Sequence, residues 1–298
     1  MKWNFDSWYV WLTAIAPMLG LGLVIWMDQR RRKHIERPPQ TEKLLRPPGY
    51  SLSQQLDKTI ESILTNAWIS SVCAIICSGC LKTTIALTFA TAPAHWMILF
   101  ISLLAFSAIG TTWFAVRTFR LFHRARNIRL GMRGEQAVAE SLNETAISGF
   151  RVFHDLPAGD NWNIDHIAVG NRGVFLIETK ARRRRGSRNG QGEHIVRYDG
   201  ATLMFPFGDD PKPVQQAKRN AGWLSNHLTK KTGEPVEVIP LVVLPGWFVE
   251  KQKGNFSVEV MNARYLVGYL QRQDETIAAT QVKRIITALD EKCRDVEF

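Results

Sequence analysis

The sequence predicts a mixed α/β domain carried behind an α-helical membrane anchor, and three observations point there. Long apolar runs are confined to the stretch ending at Val116, arginine clusters follow each run, and from Gly134 onward short strand-like segments alternate with amphipathic helical ones. The chain has 298 residues, is 45% hydrophobic and carries a formal net charge of +11. A basic surface attracts polyanions, although arginines beside apolar spans are also set by membrane topology.

The anchor reads as three transmembrane helices. Trp8 to Met27 contains no charged residue and, at ~20 residues, is long enough to cross a bilayer. Only Lys2, offset by Asp6, precedes it, whereas Arg30, Arg31, Arg32 and Lys33 follow at once. That order is the reverse of a signal peptide and sets the amino terminus outside. Ala67 to Val116 is too long for one span. Lys82 and Ala92-Pro93-Ala94-His95 divide it into a hairpin, with Lys82 snorkelling outward and His95 and Trp96 at the outer interface. Arg117, Arg120, Arg124, Arg126, Arg129 and Arg133 then hold the following chain inside.

The expected divisions are residues 1–34 for the first span and its basic flank, 35–64 for a cytoplasmic loop and 65–117 for the hairpin. A basic linker follows over 118–129, then a folded domain over 130–249 and a strand and helical extension over 250–298. The expected location is a bacterial inner membrane, with the carboxyl-terminal half in the cytoplasm. Pro38-Pro39 and Pro47-Pro48 argue for an extended start to the loop, and Ser51 to Leu64 for an amphipathic helix. Cys73, Cys77 and Cys80 lie in an apolar segment as small residues of a membrane helix, and Cys293 stands alone. Four cysteines do not make a disulfide framework or a zinc ribbon.

In the following half, Gly134 to Asn143 reads as a helix with Val138 and Leu142 on one face. Phe150 to Phe153, Asn163 to Val169 and Val174 to Lys180 read as strands, with a turn at Gly170-Asn171-Arg172-Gly173. A small hairpin is expected around Asp199-Gly200. Pro213 to Leu228 reads as a helix with proline in its first turn, and Val236 to Leu244 and Phe256 to Val260 as strands. Asn262 is placed to cap a short helix to Leu270, and Glu275 to Lys292 closes the chain as an amphipathic helix.

One constellation carries chemistry. Glu178 and Lys180 share a face of their strand, because side chains alternate. A two-residue loop at Asn171-Arg172, or a four-residue one over Gly170 to Gly173, sets Asp165 opposite Glu178, where like charges ~5 Å apart at Cβ are destabilising; a three-residue loop would shift the register. A divalent cation is the simplest compensation, and hard cations take carboxylates with water and phosphate. Lys180 is placed to orient a water or to offset charge on a phosphate. Glu135 shares the packing face of Val138 and Leu142, and Gly131 and Gly134 beside it permit close backbone approach. Gln216 and Asn220 lie four residues apart on one helix face.

These residues resemble a known family. Gly131-x-x-Gly134-Glu135, Ile164-Asp165-His166, Gly173-Val174-Phe175-Leu176-Ile177-Glu178-Thr179-Lys180 and Pro213-x-x-Gln216-Ala217 are similar to the nuclease-related (NERD) domain, over Leu130 to about Val249. That family resembles the restriction-endonuclease-like superfamily with its Asp…(Asp/Glu)-x-Lys site. The resemblance implies an αβββαβ core and metal-dependent hydrolysis of nucleic-acid phosphodiesters, DNA ahead of RNA, with Mg²⁺ or Mn²⁺ and no organic cofactor. It implies Asp165 and Glu178 as metal ligands, Lys180 as the catalytic lysine, Glu135 as the helix-borne acidic residue and Gln216 as the downstream glutamine, with Gln215 adjacent.

After Lys180 the sequence departs from the family pattern. Arg182, Arg183, Arg184, Arg185 and Arg188, with the glycines from Gly186 to Gly192, make a loop suited to a nucleic-acid backbone or, alternatively, to anionic lipid or to solvent alone. His166 points away from Asp165 and reads as a packed histidine, while His154, Asp155 and Asp160 read as turn or surface residues, Asp155 being the one able to approach the metal. No phosphate-binding glycine loop and no serine or cysteine triad can be assembled. The competing expectation is a non-catalytic adaptor that binds nucleic acid or membrane partners through the same fold.

Overall fold

The computed structural model describes isolated positions between residues 20 and 30 and then residues 43–91, 94–159, 162–184, 194–252, 254 and 256–296, with side chains omitted over 87–91 and 94–96. The first expected span, Trp8 to Met27, lies almost wholly outside the described residues. The chain divides into two compact units, one of residues 1–41 and 57–125, the other of residues 42–56 and 126–298.

Two helices dominate the first unit: α1 (Tyr50–Thr91) and α2 (Ala94–Asn143). Both are long and apolar enough to cross a membrane, and their most apolar windows are only 6% and 0% buried within the protein. A core helix of a soluble domain would bury that surface. Between them, Asn66 Nδ2 donates to Thr118 Oγ1 at 2.5 Å and to the Phe114 carbonyl at 3.4 Å, the kind of polar tie that holds apolar helices together. Cys73 and Cys77 are free thiols lining a cavity of about 530 Å³ with Gly110 and Ala115.

The second unit is built on a five-stranded mixed sheet of order β10-β8-β4-β3-β2. Strands β2 (Arg151–Gly159), β3 (Trp162–Gly170) and β4 (Gly173–Thr179) form an antiparallel meander, and β8 (Val238–Val243) and β10 (Glu259–Met261) continue parallel to β4. Every residue of β4 is buried. Its even positions, Val174 and Leu176, join one core cluster, and its odd positions, Phe175 and Ile177, join another. This is the mark of a central strand covered on both faces. On one face lies the end of α2 through Val138 and Leu142, with α4 (Ala263–Gln271) through Leu266 and Leu270. On the other lie α3 (Lys212–Thr232) through Ala217 and Leu224, and α5 (Ala279–Cys293) through Ile285 and Leu289.

Local chemistry explains the helix limits. Pro213 sits in the first turn of α3, where a missing N–H costs nothing, and Gly233 ends it with a left-handed φ of 77°. The Asn262 side chain caps α4 by accepting from the Arg264 amide, as its position in the sequence predicts.

The order helix, three strands, helix, strand matches the αβββαβ expectation, with additions. The hairpin expected at Asp199-Gly200 is β5 (Ile195–Tyr198) and β6 (Leu203–Phe205). It grows into a second sheet, β7-β6-β5-β9, with β7 (Gly208–Asp210) and β9 (Phe248–Lys251). The expected linker at 118–129 is not a break: it is helical within α2, so the helix read from Gly134 is the end of a much longer one. Arginine is a strong helix former, and a basic run does not by itself end a helix. The proline-rich segment also does more than lead into a helix. β1 (Leu44–Leu45) pairs antiparallel with β11 (Arg294–Val296).

Leu176 is fully buried at the centre of the sheet. Leu176→Ala is expected to destabilise the second unit by about 2–5 kcal/mol, read as a lowered midpoint of thermal unfolding of the full chain.

Candidate active site

The β3–β4 register decides which side chains meet. Gly170 pairs with Gly173, Val169 with Val174 and His166 with Ile177, so the connection is the two-residue loop Asn171-Arg172. One step further along this register, Asp165 falls opposite Glu178. The Thr179 amide donates to Asp165 Oδ2 at 2.8 Å, which pins the carboxylate at the end of the ladder. Asp165 is 8% exposed and Glu178 3%.

A third carboxylate arrives on α2. Glu135 is 6% exposed, three residues before the core residue Val138. The helix comes close because Gly134 has no side chain: a Cβ there would lie 2.7 Å from that of Ala181. Ala181 follows Lys180, whose amide donates to the Val243 carbonyl at 2.9 Å and carries the β4 line past its last strand residue. Lys180 is half-buried, and its charge acts on both Asp165 and Glu178.

The cluster is electrostatically costly. Burial pushes Asp165 up to about 7, against the opposing pull of the Thr179 amide and Lys180. Burial, and then the Asp165 charge, hold Glu178 well above the usual carboxylate range, with Lys180 and Arg219 opposing. Burial, followed by Asp165 and Asp155, pushes Glu135 up to about 9. Glu135 Oε2 and Glu178 Oε2 are both buried without a hydrogen-bond partner. Buried polar atoms are normally satisfied, so an orphaned pair inside an acidic cluster points to a ligand.

Residues 130–245 match the nuclease-related domain family. The match covers less than half of the chain, begins at the expected Leu130 and ends short of Val249. No curated protein and no solved structure matched.

Around the carboxylate cluster, α3 supplies amides. Gln216 is half-buried and Gln215 exposed. Asn220, one turn on, is fully buried with both side-chain amide atoms unpartnered. Its four-residue spacing from Gln216 was the signal for it. Arg219 acts on Glu178 and lies over the Trp162 ring at 6.0 Å from its centroid, a contribution with no local pattern to announce it.

His166 is fully buried, with its Nδ1 2.8 Å from His154 Nδ1, and burial depresses both pKa values. It is the packed, hydrogen-bonded residue that alternation predicts. Asp155 is also fully buried, but its oxygens are engaged by Arg46, Ser51 and Asn163.

The arginines after Lys180 are not equivalent. Arg182 pairs with Asp210, and the Trp247 indole donates to its carbonyl at 3.2 Å. Arg183 donates to the Arg126 carbonyl at 3.1 Å and Arg184 to the Gly246 carbonyl; both are exposed and neither has an acidic partner among the described residues. Arg185 and Arg188 lie outside the described residues.

Among the described residues, no group of three or more His, Cys, Asp or Glu side chains is arranged to hold a metal ion. The carboxylates that could serve as donors here are fewer: Asp165 and Glu178, with Glu135 near enough for charge on it to act on Glu178.

Above about pH 7 the buried histidines are neutral in both folded and unfolded states, so the carboxylates set the slope of stability. Glu135, raised to about 9, stays protonated in the native protein after the unfolded chain has lost that proton, so stability falls as pH rises through this window. The metal-free full chain should melt at progressively lower temperature from about pH 7 to about pH 9, and Glu135→Gln should flatten the decline. A melting temperature that rises over that interval in both proteins would contradict the burial of the cluster.

Proposed function

We propose that the chain is a membrane-anchored, divalent-metal-dependent nuclease that hydrolyses phosphodiester bonds of nucleic acid, DNA ahead of RNA. The observation that carries this reading is the pair of orphaned buried oxygens, Glu135 Oε2 and Glu178 Oε2, in a cluster with Asp165 and Lys180. Uncompensated carboxylates are expensive away from water, and oxygen donors of this kind suit a hard cation. Mg²⁺ commonly uses one or two carboxylates and completes its shell with water and substrate phosphate, so the lack of a ready three-residue cage is consistent with it.

Asp165 and Glu178 would hold the Mg²⁺ or Mn²⁺. When bound, such an ion polarises a phosphoryl oxygen and makes water a better nucleophile. Lys180, the cation beside both carboxylates, orients the attacking water and offsets charge developing on the phosphate. Glu135 adds an acceptor for water in the same cluster. Gln216 and Asn220 offer amides that bind water or phosphate without adding negative charge. The exposed charges of Arg183 and Arg184 suit a nucleic-acid backbone, whereas that of Arg182 is neutralised by Asp210.

The anchoring rests on the two unburied apolar helices and the arginines that follow them. Residues 42–56 and 126–298 fold as one compact unit. That unity supports a reading in which both segments lie on the same side of a bilayer and α1 and α2 cross it as a hairpin. The six arginines from Arg117 to Arg133 support the cytoplasm as that side.

Full-length protein in detergent, with Mg²⁺ or Mn²⁺, is expected to cleave at least one of linear, circular or single-stranded DNA or RNA, and a chelator should abolish the cleavage. Asp165→Asn, Glu178→Gln and Lys180→Ala should each lower the rate about 100-fold or more. Undiminished cleavage by Asp165→Asn and Lys180→Ala would sink the site. Salt-sensitive binding without cleavage under every condition would favour an adaptor.

A further inference from the structure

The acidic cluster is supported by parts of the chain far outside residues 130–245. Asp155 adopts a φ of 51°, the only positive φ at a non-glycine position among the described residues. Such a conformation is rare and persists when its surroundings hold it. Here the holding is explicit. Asp155 Oδ2 accepts from the Ser51 amide at 3.0 Å, from Ser51 Oγ at 2.6 Å and from Arg46 Nη1 at 3.3 Å. Arg46 Nη1 also donates to the Asp155 carbonyl at 3.2 Å. Oδ1 accepts from Asn163 Nδ2.

Arg46 is itself fixed from behind. Its Nε and Nη2 donate to the two carboxylate oxygens of Asp295 at 2.7 and 2.5 Å, a bidentate pairing of high geometric specificity. Asp295 lies on β11 and Arg46 follows β1, so the β1–β11 ladder carries both. Ser51 is in the first turn of α1, where backbone donors lack helical acceptors, and Asp155 supplies one.

The register places Asp155 beside the site. In the β2–β3 ladder His154 pairs with His166 and Leu156 with Ile164, so Asp155 stands across from Asp165. Asp155, Asp165 and Glu178 therefore occupy one row across three neighbouring strands. With its oxygens engaged, Asp155 is not a spare ligand.

We infer that Arg46, Ser51 and Asp295 are positioning residues that act through Asp155 to set the geometry of the carboxylate row for its cation. This inference rests on the metal reading above. Gly49, from the same segment, adds a second influence: its backbone favours the charged form of Glu135, against the push of burial. Gly49 has a φ of 77°, and a Cβ there would lie 3.0 Å from Met132 Cγ. The segment ahead of α1 thus touches Asp155 directly and acts on Glu135 through Gly49.

The test uses full-length protein in detergent. Mn²⁺ alone is titrated by electron paramagnetic resonance, and amide hydrogen exchange is followed in metal-free samples. Arg46→Ala is expected to weaken Mn²⁺ binding about 10-fold or more, the size of effect seen when residues behind metal ligands are removed. It should also speed exchange over residues 132–137 and 151–157. Asp295→Ala, which touches no carboxylate of the row, should act in the same direction, and Arg46→Lys should restore part of the affinity. Folded Arg46→Ala protein with wild-type Mn²⁺ affinity overturns the inference, whether or not exchange changes. If the wild type takes up no Mn²⁺, the metal reading of Asp165 and Glu178 fails on its own. Exchange at 132–137 then decides whether the positioning stands. Should Arg46→Ala not fold, Ser51→Ala and Asp295→Ala are read by the same two measurements, with unchanged affinity in both counting against the proposal.

Discussion

Asp165 and Glu178 face one another across β3 and β4 with both carboxylates withdrawn from water, and like charges so placed repel. Much of the second unit can be understood as the means of tolerating that repulsion. The Thr179 amide and the Lys180 charge pull against it directly. Close approach of α2, allowed by Gly134, adds Glu135 and makes the charge problem worse. A fold selected for stability alone would not gather a third acid there, because a buried ionisable group is costly unless something pairs with it. Sites that violate the rules of economical folding are where function is expected.

Two helices on opposite faces of the sheet reach this one place. α2 packs with the cluster of Phe175 and Ile177, while α3 packs with that of Val174 and Leu176. Glu135 comes from the first and Arg219 from the second, and both act on Glu178. The site therefore lies where β4 runs out, at Thr179, and the chain around Lys180 is held by its bond to Val243 on β8. Side chains from rigid elements on both faces can be fixed more narrowly than side chains on a loop.

What was legible in the sequence was local. The two-residue turn sets the register of β3 on β4, and from that register the opposition of Asp165 and Glu178 follows by counting. The face shared by Glu135 and Val138 is a matter of helical spacing, and Asn220 follows from Gln216 in the same way. The arginine run gave less, because the charge of each arginine depends on its neighbours. Arg182 meets Asp210 twenty-eight residues away, and nothing in the run distinguishes it from Arg183. The linker read at 118–129 assumed that a change of composition is a change of structure, whereas α2 continues through it. The pairing of Arg46 with Asp295 was illegible altogether. Neither residue lies in a periodic pattern or motif, and only the tertiary fold brings them together.

That pairing has a consequence for how the protein is made. Asp295 is synthesised 249 residues after Arg46. At translation rates of roughly 5–20 residues per second, the interval is on the order of 10–50 s. Throughout it, Arg46 has emerged while its bidentate partner does not yet exist, and for much of it Asp155 is absent as well. The guanidinium waits in water while both long helices and the whole sheet are made. A chain interrupted before Asp295 would carry every residue of the carboxylate row and lack the anchor behind Arg46. Completion of the cluster is thus tied to the synthesis of Asp295, and a product ended before that residue would be left with its acidic residues imperfectly set.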